Sequence, residues 1–198
     1  MAYQIKRYMR PYAEAKENML DRSRRGTFEY TDHEVVAGVF DKLTSLDKDA
    51  WAAAFSEVAK PYEQRAEEAE AKGEKKAAED NYLKAYGYYR LGRYPATNSP
   101  GKKAAYQRSV DCYLKAARYF DPPLEKVDIP LKGGSAKIIG YYRRPKTAGR
   151  VPLLVAWGGI DGYKEDRRAG PFLEHGIAVL ALDNAGVGQA PVKALQDG

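Results

Sequence analysis

The sequence predicts an α/β chain in two parts: a helical domain over residues 1–121, then the first strands of an α/β sheet over 122–198. Three observations carry this. Apolar residues repeat with the helical period as far as Asp121 and with the strand period of two after Pro123. Two apolar runs, Val151-Pro-Leu-Leu-Val-Ala-Trp157 and Ile177-Ala-Val-Leu-Ala-Leu-Asp183, each lead into a glycine turn, at Gly158-Gly159 and at Asn184-Ala-Gly-Val-Gly188. Strand, glycine turn, helix, strand, glycine turn is how an α/β enzyme sheet opens. The chain reaches Gly198 just where such a sheet is expected to continue, so an incomplete sheet is predicted.

The first domain reads as helix after helix. Thr31-Asp-His-Glu34 fits a capping box, with Thr31 capping a backbone N–H and Glu34 reaching back. Trp51, Phe55, Val58 and Tyr62 fall on one helical face. Gly73 is expected to end that helix. The next covers 74–92, with Tyr82, Tyr86 and Tyr89 on one side. The loop from Gly92 to Pro100 is rich in turn formers, and Ser99-Pro100 reads as an N-cap followed by proline in the first turn. Tyr106, Val110, Tyr113, Ala117 and Phe120 form the inward stripe of the last helix. Asp121-Pro-Pro123 stops it, because proline cannot extend the hydrogen-bond ladder. Tyr82-Leu-Lys-Ala85 recurs as Tyr113-Leu-Lys-Ala116 at nearly the tetratricopeptide period. Two amphipathic helices drawing on the same good helix formers explain this short match more economically.

In the second domain, Lys126–Leu131 alternates as a strand, Lys132–Ser135 is a turn, and Ala136–Tyr142 is its antiparallel partner. Arg143–Arg150 is a loop. Val151–Trp157 and Ile177–Asp183 are the continuous apolar strands of a parallel sheet, with a helix over 164–175 between them, closed by Gly176.

Composition removes several function classes. A hydrophobic content of 44% is ordinary for a globular protein. The net charge of +6 is shared evenly on the two sides of Asp121 with acids interspersed, whereas nucleic-acid binders concentrate basic charge on one face, so no nucleic-acid partner is expected. Cys112 is alone, which excludes an intrachain disulfide and favours a reducing compartment. No apolar run approaches the ~18 residues that span a bilayer, and the N-terminus lacks a signal-type apolar core. The expected setting is the cytoplasm, with no membrane association.

Chemistry concentrates at the glycine turns. Gly158 and Gly159 follow a buried strand, where glycine lets the backbone turn sharply and approach a ligand. Such a turn can present backbone N–H groups to a developing oxyanion, or it can be a plain tight turn. Asp183-Asn-Ala-Gly-Val-Gly188 contains Gly-x-Gly but neither the third glycine of a dinucleotide fingerprint nor a following Gly-Lys-Ser/Thr, which argues against phosphate binding. No cofactor and no metal are expected.

The order of these features resembles the front half of an α/β-hydrolase, in the subgroup with an N-terminal helical domain that includes dihydroxypseudooxynicotine hydrolase, the fermentation–respiration switch protein and fungal polyketide-shortening hydrolases. The residues that carry the resemblance are Gly158-Gly-Ile-Asp-Gly-Tyr-Lys-Glu-Asp166, Leu182-Asp-Asn-Ala-Gly-Val-Gly-Gln189 and the tyrosine-rich 82–90 segment. It implies a serine hydrolase acting on C–C or ester bonds of small carbonyl compounds, with the helical domain covering the pocket. Serine attack, histidine proton relay and an orienting acid are that chemistry, and the serine stands in Gly-x-Ser-x-Gly. No serine of this chain has that frame, and His33 and His175 precede the expected serine position. No catalytic residue is therefore assigned here. The resemblance transfers only the oxyanion turn, with Gly159 and Ile160 as N–H donors and Gly158 and Asp161 as its wall. The expected partners are the carbonyl substrate, the remaining C-terminal half of the hydrolase and, for oligomerisation, a second copy. Two rival readings stay open: a helical-repeat protein-binding module, and a non-catalytic hydrolase homologue.

Overall fold

The computed structural model describes residues 11–131 and 137–190. Five helices come first: α1 (Tyr12–Arg24), α2 (His33–Lys42), α3 (Lys48–Ala71), α4 (Lys75–Arg93) and α5 (Pro100–Ala117). Local signals set their ends. The Asp47 carboxylate accepts from the N–H groups of Asp49 and Ala50 to start α3. Gly73, at φ +75°, ends it: its own N–H reaches Glu70 O, and the Glu74 N–H reaches Ala69 O. Both helix-closing bonds of a Schellman motif are thereby made. Ser99 Oγ accepts from the Lys102 N–H at the start of α5, with Pro100 in the first turn.

The predicted capping box at Thr31 does not form. The Thr31 hydroxyl donates to Phe28 O, and the N-cap of α2 is Asp32, whose carboxylate pairs with Lys84 on α4 instead of capping. The N–H of this N-cap residue, Asp32, is met by the hydroxyl of Tyr88 on α4, a partner distant in the sequence.

Helix α4 lies against both α3 and α5 and is enclosed on nearly every side: Ala78, Tyr82, Ala85, Tyr86, Tyr88 and Tyr89 are all buried. Phe40, Trp51 and Phe55 meet edge-on or tilted at 5.2–5.9 Å, and the Trp51 indole N–H donates to Leu91 O. The two Tyr-Leu-Lys-Ala segments have different duties. Tyr82 is buried with its hydroxyl on Glu70, whereas Tyr113 stacks on Tyr141 of the sheet.

Strands β1 (Glu125–Pro130), β2 (Lys137–Arg143), β3 (Leu153–Trp157) and β4 (Ala178–Leu182) form one sheet in the order β1-β2-β4-β3. β1 and β2 pair antiparallel with Val127 opposite Gly140, as expected; the turn predicted at 132–135 lies outside the described residues. β4 pairs antiparallel with β2 and parallel with β3, with Val155 opposite Leu180. Tyr141 and Ala181 join the buried cluster of the helices, so one apolar core runs from α3 and α4 into the sheet.

The helix expected over 164–175 is reduced to a 3-10 turn, Lys164–Asp166, and a short α6, Gly170–Glu174. Lys164, Glu165 and Asp166 form ion pairs in the protein interior, a geometry that a solvent-facing amphipathic helix would not permit. Pro171 lies in the first turn of α6, whose Leu173 packs with Ala169 and Val179 and against Leu154 and Ala156. The other face of β3 is open among the described residues: Leu153, Val155 and Trp157 are exposed.

Candidate functional site

β3 delivers the chain into the turn Gly158–Gly162 beside the end of β4. Asn184, just after β4, donates from Nδ2 to Gly158 O at 2.5 Å. A Cβ on Gly158 would overlap the Gly162 carbonyl, so only glycine fits there. A Cβ on Gly159 would meet nothing closer than Asp161 Oδ1 at 3.5 Å, an ordinary contact. Sequence reasoning treats the two glycines alike, whereas packing constrains the first. The Gly162 N–H reaches back to Gly159 O over a long 3.4 Å. The N–H groups of Gly159 and Ile160 donate to no acceptor among the described residues, and the Ile160 side chain is 82% exposed. Asp161 faces the other way: its carbonyl accepts from Arg93 Nη1 at 2.7 Å and its carboxylate from the Tyr94 hydroxyl at 3.3 Å.

The segment after the turn is held by charge. Asp166 receives Arg90, Arg93, the Tyr86 hydroxyl and the Tyr163 N–H, each within 2.5–2.8 Å. Burial works to raise its carboxyl, but Arg90 and Arg93, with the two hydrogen bonds, outweigh that and hold it below the usual carboxylate range. Burial and the same carboxylate push the Tyr86 phenol well up, so it stays a donor. The Arg93 guanidinium lies over the Tyr163 ring, 3.6 Å from its centroid, and Tyr106 meets that ring edge-on.

A second charged cluster pins the two turns to each other. Asp183, at the end of β4, accepts from both the N–H and Nζ of Lys164 and from the Gln189 N–H. Lys164 Nζ also lies 2.7 Å from Glu165 Oε1, but off the direction a hydrogen bond requires, and neither Glu165 oxygen has a hydrogen-bonding partner among the described residues. Burial, reinforced by Asp183 and opposed by Lys164, raises the Glu165 carboxyl.

Four serines bond backbone groups close to them in the sequence. Ser56 and Ser109 donate to carbonyls within their own helices, and Ser45 and Ser99 accept from nearby N–H groups. Among the described residues no serine bonds a histidine, and His175 Nδ1 lies on Pro171 O at the end of α6. A cavity of about 330 Å³ between the helices and the segment 165–171 is lined in part by Tyr30, Tyr113, Phe120, Arg143 and Glu165, and by none of Gly158–Asp161. Sequence reasoning missed Arg93, Lys164 and Asp166 as organisers of the site. A signal for Arg93 was present: it extends the Tyr82, Tyr86, Tyr89 stripe by one more helical turn, which puts a charge on an inward face.

Known proteins resemble this chain in sequence and fold. The chain is 34% identical over 156 residues to the α/β hydrolase gkaG of Penicillium citrinum, which spans 74% of this chain and 36% of that protein. It is 32% identical to hydrolase ORFZ of Pyricularia oryzae, over 72% of this chain and 36% of that protein. The crystal structure of 2,6-dihydroxy-pseudo-oxynicotine hydrolase matches with a TM-score of 0.65 at 23% identity, covering 83% of this chain and 46% of that one. AbyA5 matches with a TM-score of 0.63 at 22% identity, covering 93% and 49%. At these identities the two structures establish the fold: a helical region leading into an α/β-hydrolase sheet. The chain spans about a third of the length of the curated relatives. The family model of FrsA-like esterases matches residues 10–197, and the chain therefore belongs to the FrsA-like esterase family.

Proposed function

We propose that this chain is the N-terminal portion of a serine hydrolase that cleaves a C–C or ester bond of a small carbonyl compound. In this reading it supplies the helical covering domain and the oxyanion turn, and the nucleophile, acid and histidine come from the remaining C-terminal half. The observation that carries the proposal is the pair of adjacent N–H groups, Gly159 and Ile160, at the C-terminal end of a parallel strand with no acceptor among the described residues. Backbone donors fixed before the reaction stabilise a tetrahedral oxyanion without reorganising as charge develops. Family membership supports hydrolase chemistry in general, and the lack of any Gly-x-Ser-x-Gly in the chain supports a nucleophile elsewhere. The reading places the protein in the cytoplasm, in keeping with a single, buried cysteine and with the described helices, none of which is long and apolar enough to cross a membrane.

The test is labelling. The 198-residue polypeptide alone, incubated with a fluorophosphonate probe and p-nitrophenyl esters, takes up no probe and shows no burst of nitrophenol. Supplying a C-terminal half with a framed serine restores both, with the label on that half. Stoichiometric labelling of any serine within residues 1–198 would overturn the assignment of the nucleophile.

A further inference from the structure

We infer that Arg93, on helix α4, is a positioning residue for the oxyanion turn and sets the direction of the Ile160 N–H. The inference rests on the hydrolase reading for its catalytic meaning, but its structural content stands on the turn itself. A peptide unit is planar and trans, so its C=O and N–H point in opposite directions, and holding one aims the other. Asn184 holds the Gly158 carbonyl and so aims the Gly159 N–H in the same peptide. Arg93 holds the Asp161 carbonyl and so aims the Gly162 N–H, which reaches back to the Gly159 carbonyl. The Gly159 carbonyl shares its peptide with the Ile160 N–H. Two bonds and two peptide planes thus link a guanidinium of the helical region to the second donor of the turn.

Arg93 suits this role and little else. It is 2% exposed, and a buried guanidinium is tolerated only with well-placed acceptors. Its two arms go to the two ends of one short segment, the Asp161 carbonyl and the Asp166 carboxylate, with the Tyr163 ring beneath. Ion pairing alone would not need the first of these, because Arg90 also pairs with Asp166 and bonds no backbone of the turn. Lysine at 93 would keep the charge but, as a single ammonium on a flexible stem, would not present the rigid fork that spans both acceptors.

The experiment compares Arg93→Lys with Arg90→Lys by amide ¹⁵N relaxation and, in the full-length protein, by ester turnover. Arg93→Lys is expected to lower the order parameters of Ile160 and Gly162 from rigid values near 0.85 to below about 0.6. It is also expected to lower kcat roughly 10- to 100-fold, since loosening a donor costs less than the 100- to 1000-fold of deleting one, with KM within about twofold. Arg90→Lys is expected to lower the melting temperature while the turn stays rigid. A folded Arg93→Lys protein with unchanged order parameters at Ile160 and Gly162 overturns the inference, and so does an equal loosening of the turn by Arg90→Lys. If the wild-type protein cleaves no ester and takes up no fluorophosphonate, the hydrolase reading fails instead, and the order parameters alone then decide whether Arg93 holds the turn.

Discussion

A methyl group added at Gly158 has nowhere to go, because the Gly162 carbonyl occupies the position its Cβ would take. One residue on, at Gly159, the same methyl meets only ordinary contact. Gly158→Ala must therefore displace backbone, at a cost of roughly 1–3 kcal/mol as in other overpacked sites, whereas Gly159→Ala is expected within about 0.5 kcal/mol of wild type. Urea unfolding of the two variants reads the difference. Equal stabilities would mean that the turn relaxes freely and is not built around Gly158. That a turn sits here was legible from a buried strand running into two glycines. Which glycine is indispensable was not, because the obstacle is a carbonyl four residues further on.

Helix α4 shows where element-level reasoning succeeds and where it stops. Helix propensity alone says that Gly→Ala in a helix interior stabilises by about 1 kcal/mol. At Gly38 on α2 nothing lies within 4 Å of an added Cβ, so propensity decides, and Gly38→Ala is expected to raise stability by that amount. At Gly87 on α4 the added Cβ would lie 2.9 Å from Glu29 O and 3.0 Å from Tyr30 O. Backbone crowding there outweighs propensity, and Gly87→Ala is expected to destabilise by about 1–2 kcal/mol net. Opposite signs in thermal or urea unfolding bear this out; a stabilising Gly87→Ala would show that the 29–31 loop packs less closely than described. Helices α3, α4 and α5 were legible from their apolar stripes and the boundaries at Gly73, Ser99-Pro100 and Asp121-Pro-Pro123, and the strands from the change of period after Pro123. The segment 164–175 was misjudged for an identifiable reason. Lys164 and Asp166 are turned inward by partners, Asp183, Arg90 and Arg93, that are far from them in the sequence, and Glu165 is buried beside Lys164. Periodicity carries no information about such pairs.

At the scale of the whole molecule, the helical region and the sheet differ in how fully they are closed. The helices enclose their own core, with Phe55, Ala66, Tyr82 and Ala85 inaccessible to solvent. In the sheet, β3 has β4 as its one neighbour among the described residues, and its outer face exposes Leu153 at 52%, Val155 at 40% and Trp157 at 60%. None of its five residues is charged, and Pro152 precedes rather than interrupts it, so the devices that usually guard an edge strand are missing. The 198-residue polypeptide is accordingly expected to keep its helical circular dichroism while associating with increasing concentration and binding an apolar dye strongly. Val155→Lys, which puts a charge in the middle of the open face, is expected to reduce both effects and leave the helical signal intact, since Val155 touches neither buried cluster. Sedimentation velocity across a hundredfold concentration range, run beside dye binding, decides the matter. A wild-type monomer at every concentration with no dye binding would mean that the strand is already covered within this chain. The proposal that a further part of the hydrolase completes the sheet at β3 would then fail.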